Sequence, residues 1–145
     1  MYSKVLLAYD GSESGRRALF ECADINNLLH AEIHLLAVAP IAPTLFVAEG
    51  FVADVPQEEE NARFAQVLDD GLAQLAARNV KAAGHLVTGD AVREISRMAR
   101  ELKVDLIVIG HKHHPSRLER WWKGSVGASL VEEAPCSILV AVQNP

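Results

Sequence analysis

Apolar residues fall into two alternating kinds of segment along the chain. Short, nearly continuous apolar runs at residues 4–9, 33–39, 80–87, 104–109 and 137–142 have the length and composition of strands buried on both faces. Between them, apolar positions recur every three or four residues, the period of an amphipathic helix. Ala18, Cys22, Ile25 and Leu29 form one stripe, Ala65, Leu68, Leu72 and Leu75 a second, and Val92, Ile95, Ala99 and Leu102 a third. A short fourth helix follows Gly124 and Ser125 and ends at Ala134 and Pro135. Ser12 or Ser14 and Asp90 stand where N-caps belong, Glu58, Glu59 and Glu60 suit a helix start, and Asn79 suits a helix end. Residues 41–56, behind Pro40, show no clear period.

Strict alternation of apolar strands with amphipathic helices predicts an α/β fold, a three-layer open parallel five-stranded sheet with helices on both faces. Ligands of such sheets bind beyond the carboxyl ends of the strands, where the strand order reverses. That selects the turns after Tyr9, Ala39, Val87 and Ile109. A length of 145 residues fits a single domain over 1–145. With 50% hydrophobic and 23% charged residues the composition excludes a disordered chain. Lys and Arg number 14 against 19 Asp and Glu, a net charge of −5, so neither nucleic acid nor an anionic membrane is an expected partner. No apolar run is long enough to cross a bilayer, no leader pattern opens the chain, and Cys22 and Cys136 form no spaced pair, so a cytoplasmic location is expected.

The densest chemical signal is residues 110–125, where Gly110, His111, Lys112, His113, His114 and nine further residues, Arg117, Arg120 and Lys123 among them, lead to Gly124 and Ser125. A glycine admits close backbone approach, and Gly-Ser at a helix start offers amide hydrogens, a hydroxyl and the positive end of the helix dipole to a phosphate. Lys112, Arg117, Arg120 and Lys123 add positive charge in an acidic chain. The alternative is a solvated loop with an ordinary turn glycine and N-cap. Asp10, in Asp10-Gly11-Ser12, either faces a bound nucleotide or caps a helix, and capping is the better-supported role. No metal site is expected: the loop histidines lack a completing ligand set, and His30, His34 and His85 look isolated in the sequence. The two cysteines are expected to pack, not react.

Taken in order, Asp10-Gly11-Ser12-Glu13-Ser14 with Ala18-Leu19, Val104 to Gly110, and Gly124-Ser125 with Ala134 to Val140 resemble the universal stress protein family along the whole chain. The resemblance implies an adenine-nucleotide-binding-like fold with strand order 3-2-1-4-5. It also implies a homodimer formed through the last strand, Ser137 to Val142, an apolar edge of the kind soluble proteins cover. ATP-binding members carry a glycine, two residues, a second glycine, nine residues, then Gly-Ser or Gly-Thr. Here Gly110, Gly124 and Ser125 match, His113 replaces the second glycine, and ten residues separate it from Gly124.

By this resemblance Ala8, Tyr9 and Asp10 line the adenine and ribose side, and Val38 offers its backbone to adenine. Gly110, His111, Lys112 and His113 pass by ribose and phosphates, and Gly124, Ser125 and Val126 receive the phosphates. The expected ligand is ATP or a related adenine nucleotide, with or without Mg2+, held as a regulatory ligand. No general base is dictated for hydrolysis, so enzymatic turnover stays open. The alternative is a nucleotide-free dimeric interaction or scaffold protein of the same fold. A phosphorelay receiver fails, because Gln143 stands where its lysine is needed. Residues 41–56 either lid the pocket with Leu45, Phe46, Phe51 and Val52 or stand away from it.

Overall fold

The computed structural model describes residues 2–41, 44–47, 50–53, 56–112 and 126–143. The chain runs β1 (Lys4–Ala8), α1 (Glu13–Leu29), β2 (Glu32–Ala39), β3 (Thr44–Val47), β4 (Gly50–Ala53), α2 (Gln57–Ala77), β5 (Ala82–Thr88), α3 (Ala91–Leu102), β6 (Leu106–Lys112), α4 (Val126–Glu133) and β7 (Ser137–Gln143). Among these, five strands form one sheet in the order β5-β2-β1-β6-β7, every pair parallel. Counting only the members of that sheet, this is the expected 3-2-1-4-5.

Two apolar layers hold helices to it. On one face Val5, Leu7, Ile33 and Leu35 pack with Ala18, Leu19 and Cys22 of α1 and Leu75 of α2. On the other, Leu6, Leu36 and Ile107 pack with Ile95, Met98 and Ala99 of α3 and Leu130 of α4. Central strands with apolar residues on both faces are buried twice over, which is why β1 and the middle of β6 read as unbroken apolar runs.

The helix starts obey local chemistry. The Ser12 hydroxyl, and not that of Ser14, accepts from Gly15 N at 3.0 Å, and Asp90 accepts from Arg93 N at 3.1 Å. Helix α2 begins after Pro56 with no side-chain cap and instead carries Glu58, Glu59 and Glu60 in its first turn, where the helix dipole favours negative charge.

Several boundaries differ from those expected, each for a physical reason. Val80 and Val104 do not open strands. Their amides close helix ends on Leu75 O at 2.9 Å and Ala99 O at 3.1 Å, beyond Asn79 and Lys103 in the left-handed conformation, and their buried side chains complete those caps. β6 continues three residues past Ile109, because Gly110, His111 and Lys112 pair with Ala141, Val142 and Gln143. Residues 41–56 contain a feature absent from the sequence reading: β3 and β4 pair antiparallel as a separate two-stranded ribbon, Leu45 opposite Val52 and Phe46 opposite Phe51. The buried face of α2 centres on Phe64, Gly71 and Leu75, with Val67, Leu68 and Leu72 beside them and Ala65 on its edge.

Asp105 fastens the amino ends of β1 and β6. Its carboxylate accepts from Ser3 N at 2.9 Å, Ser3 Oγ at 3.0 Å and Lys4 N at 3.1 Å, while its own amide donates to Lys4 O at 3.0 Å. The amide of Ser3, first among these donors, holds the Asp105 carboxyl below its ordinary pKa. A carboxyl depressed in the folded state stabilises fully above its unfolded value, near 3.9, and loses that contribution as pH falls through the folded value. Asp105→Ala is expected to cost about 1–2 kcal/mol at pH 7 in urea unfolding. Its deficit against wild type should shrink below about pH 4.

Candidate functional site

β1 lies at the centre of the sheet, and its neighbours β2 and β6 belong to opposite halves of the winding. Their carboxyl ends therefore part and leave a crevice. That crevice is a cleft of about 220 Å3. Ala8, Leu36, Val38 and Ile109 form its sheet side, Ala91 and Ile95 of α3 one wall, Ser14 and Gly15 of α1 another, and Tyr9, Asp10, Gly110 and His111 its rim. The strand residues are apolar because they continue the packing layer under α3, whereas the rim is polar because it consists of turn and cap residues. The first turns of α1 and α3 both border the cleft, so two positive dipole ends face it.

Six of the residues singled out from the sequence, Ala8, Tyr9, Asp10, Val38, Gly110 and His111, thus come together. Lys112 is the last residue of β6, and Val126 is the first of α4. His113, Gly124 and Ser125 lie outside the described residues. The sequence does not mark Leu36, Ile109, Ala91, Ile95, Ser14 or Gly15 as lining. Apolar strand residues carry no chemical signature, and only the packing of α3 and α1 shows which of them lie beside the cleft.

Asp10 works first as a local organiser. Its Oδ1 accepts from Ser12 N at 2.9 Å and from Ser12 Oγ at 2.5 Å, an Asx turn that aims the Ser12 hydroxyl at Gly15 N. Gly11, at φ 84°, supplies the left-handed backbone this turn requires. The capping role expected for Asp10-Gly11-Ser12 is therefore realised, and Oδ2 has no hydrogen-bond partner among the described residues. Tyr9 lends the cleft its backbone side. The residue is 3% exposed, and its ring packs against Gly71 on the opposite face, with the hydroxyl donating to Asp70 Oδ2 at 3.1 Å. Burial, then the Asp70 carboxylate, raises the phenol above its usual pKa, which keeps it neutral.

Gly110 has a structural reason of its own. A Cβ built on it would stand 2.0 Å from Ser14 O and 2.7 Å from Gly15 N, so the absent side chain is what lets the first turn of α1 lie against β6. It is a strand glycine, neither a turn residue nor open space. Cys22 is buried in the α1 layer, with burial pushing its thiol up to about 12; Cys136 is partly buried and likewise raised, first by burial and then by Asp105. Both are protonated packing residues. Among the described residues no group of three or more His, Cys, Asp or Glu is placed to hold a metal ion, and no helix is long and apolar enough to cross a membrane.

The family model described as "Universal stress protein family" matches residues 1–142. The chain belongs to the universal stress protein family. A curated relative, the universal stress protein YxiE of Bacillus subtilis (strain 168), is 26% identical over 148 residues, covering 97% of this chain and 99% of its own. A solved universal stress family protein from Burkholderia pseudomallei is 28% identical with a TM-score of 0.71, over 96% of this chain and 95% of that one. Two further solved structures share the fold at lower identity. One is a universal stress protein in complex with cAMP, at TM-score 0.71 and 20% identity over 96% and 95% of the two chains. The other, from Arabidopsis thaliana with AMP bound, has TM-score 0.70 and 18% identity over 98% and 92%. The five-stranded parallel sheet is the fold this universal stress protein shares with those solved structures.

Proposed function

We propose that this universal stress protein holds an adenine nucleotide in the cleft beside β1 as a regulatory ligand. The observation that carries the reading is the cleft's composition. Ala8, Val38 and Ile109 offer apolar sides to a flat heterocycle, the backbone of Val38 lies at the end of β2, and the Asp10 carboxylate stands on the rim within the polar half. Two helix amino ends supply positive potential where a phosphate would sit. Relatives of the same fold solved with cAMP and with AMP support the ligand class. The base and sugar are assigned to the described residues of the cleft. The phosphate end would fall to Gly110, His111 and Lys112 and, beyond the described residues, to His113, Gly124 and Ser125, with Val126 at the start of α4. ATP, with or without Mg2+, is the proposed physiological form.

Denaturing the purified protein and chromatographing the released solution should yield adenine nucleotide, and the emptied protein should take up ATP or AMP saturably at one site per chain in calorimetry. Absence of both would reject the reading in favour of a nucleotide-free interaction protein. One observation favours that second reading: the space beside Gly110 is occupied by the backbone of α1, not left for a ligand.

We also propose a homodimer through β7. This strand is an edge of the sheet, paired only with β6 among the described residues, and Val140 and Val142 are 39% and 38% exposed on it. A second copy would pair with that edge and cover those side chains. Val140→Lys is therefore expected to convert a dimer to a monomer in sedimentation velocity at micromolar concentration, with the fold retained. A wild-type protein that is monomeric would remove this part of the proposal.

A further inference from the structure

His34 and His85, 51 positions apart, meet on the α3 face of the sheet. His34 sits on β2 and His85 on β5, diagonally across the parallel ladder in which His34 is opposite Ala83 and His85 opposite Leu36. His34 Nδ1 lies 3.0 Å from His85 Nε2, the rings stack with centroids 5.2 Å apart, and His34 Nε2 lies 2.8 Å from Glu32 Oε1. His34 is 7% exposed, while Glu32 is largely in solvent.

The carboxylate fixes the proton pattern. Glu32 can only accept, so His34 Nε2 carries a hydrogen. In the neutral pair His34 Nδ1 is then the acceptor and His85 Nε2 the donor. One added proton is compatible with the same positions: His34 becomes the cation, donating to Glu32 from Nε2 and to a neutral His85 from Nδ1. A second proton is not. Both facing nitrogens would then be donors, and two positive charges would stand at hydrogen-bond distance.

We propose that Glu32, His34 and His85 form an acid-sensitive clasp that holds β5 on the sheet. β5 is the opposite edge from β7, joined by hydrogen-bonded pairing to β2 alone among the described residues. Edge elements open at lower free-energy cost than central strands. The strand leads through Gly89 and Asp90 into Ala91, which borders the cleft, so loosening it acts on one wall of that site.

Other charged groups on this side do not replace the clasp. Lys4 of β1 is level with Glu32 but donates to Leu102 O at 3.3 Å, and Arg97 of α3 is held by Glu94 and Glu101. Arg93 of α3 and Lys81, just ahead of β5, are exposed. α2 covers the reverse face, where Leu68 and Leu72 meet Gly84. Burial, then the neighbouring His34, holds His85 below the ordinary imidazole pKa. A histidine depressed in the closed state binds its proton more readily once open. Closure is thus strongest above the open-state value, near 6.5, and weakens as pH falls below it.

Native-state amide exchange, corrected for intrinsic rates, tests this in the full-length protein. Between pH 7.5 and 5.5, protection of the β5 amides should fall about tenfold relative to those of β1, the weight of one proton taken up on opening. His85→Leu should abolish that differential. Glu32→Gln, a change at an exposed side chain, should enlarge it several-fold, because the closed state then loses the anion that stabilises its first proton. An unchanged β5 protection in wild type, an equal fall in His85→Leu, or no enlargement in Glu32→Gln would overturn the proposal.

Discussion

Gly110→Ala is expected to destabilise the fold by about 3 kcal/mol or more, the upper range for forcing volume into a packed site. The added methyl would lie 2.0 Å from Ser14 O and 2.3 Å from Ser14 C. Both are backbone atoms in the first turn of α1, which the Asp10–Ser12–Gly15 hydrogen bonds already fix. No rotamer change relieves the clash; α1 or β6 must move, and both carry core residues. A loss of this size is a large part of the ~5–15 kcal/mol that stabilises an ordinary domain. Gly84→Ala is the matched control. Its new methyl would meet the tip of Leu72, 2.9 Å away, on an edge strand, and a flexible side chain can yield. That variant should remain within about 1 kcal/mol of wild type. Urea unfolding of the two proteins reads the contrast, and equal midpoints would show that α1 is not anchored through Gly110.

Val38→Trp is expected to weaken adenine-nucleotide binding about a hundredfold, or about 2.8 kcal/mol, while leaving stability nearly unchanged. Val38 is partly exposed, at the end of β2, and its side faces the cleft that Ala8 and Ile109 share. An indole there takes the space proposed for the base. Because it grows into a cleft and not into the core, it avoids the overpacking that makes Gly110→Ala costly. Calorimetric titration with AMP, with circular dichroism as the check on folding, measures both quantities. Wild-type affinity in this variant would move the base elsewhere.

What the sequence disclosed follows from the range of the interactions involved. The stripe of α3, Ala18 and Cys22 of the α1 stripe, the caps at Ser12 and Asp90, and the left-handed Asn79 are dictated within four or five residues and are legible, whereas Leu19 and Ala23 complete the buried face of α1 and Ile25 and Leu29 are only half-buried. The order of the sheet was available only through resemblance, since apolar runs alone do not say which strands are neighbours. Val80 and Val104 read as strand starts because a buried valine closing a helix cap has the same composition as one opening a strand. The extension of β6 to Lys112 depends on pairing with β7, some thirty positions later, and the local sequence reads there as a basic loop. In α2, Gly71 lies on the buried face because Tyr9 and Leu35 press against it, a contact that no apolar period reveals.

The candidate site divides the same way. Asp10, Tyr9 and Gly110 were legible as positions, but not in what they do: the carboxylate organises a cap, the ring turns to α2, and the glycine accommodates a helix. His34 and His85 appeared isolated because only the register between β2 and β5 brings them within 3.0 Å. The apolar floor of the cleft is legible only in part, since Leu36 and Ile95 are buried core residues whose place beside the cleft depends on how α3 packs on the sheet.

An amide-detected NMR titration with AMP tests the central claim most directly. Progressive, saturable shifts at Ala8, Val38 and Ile109, with Gly15 and Ala91 following at the same apparent affinity, are the predicted result. Saturable shifts confined to residues away from the carboxyl ends of β1, β2 and β6, or none at millimolar nucleotide, would contradict it.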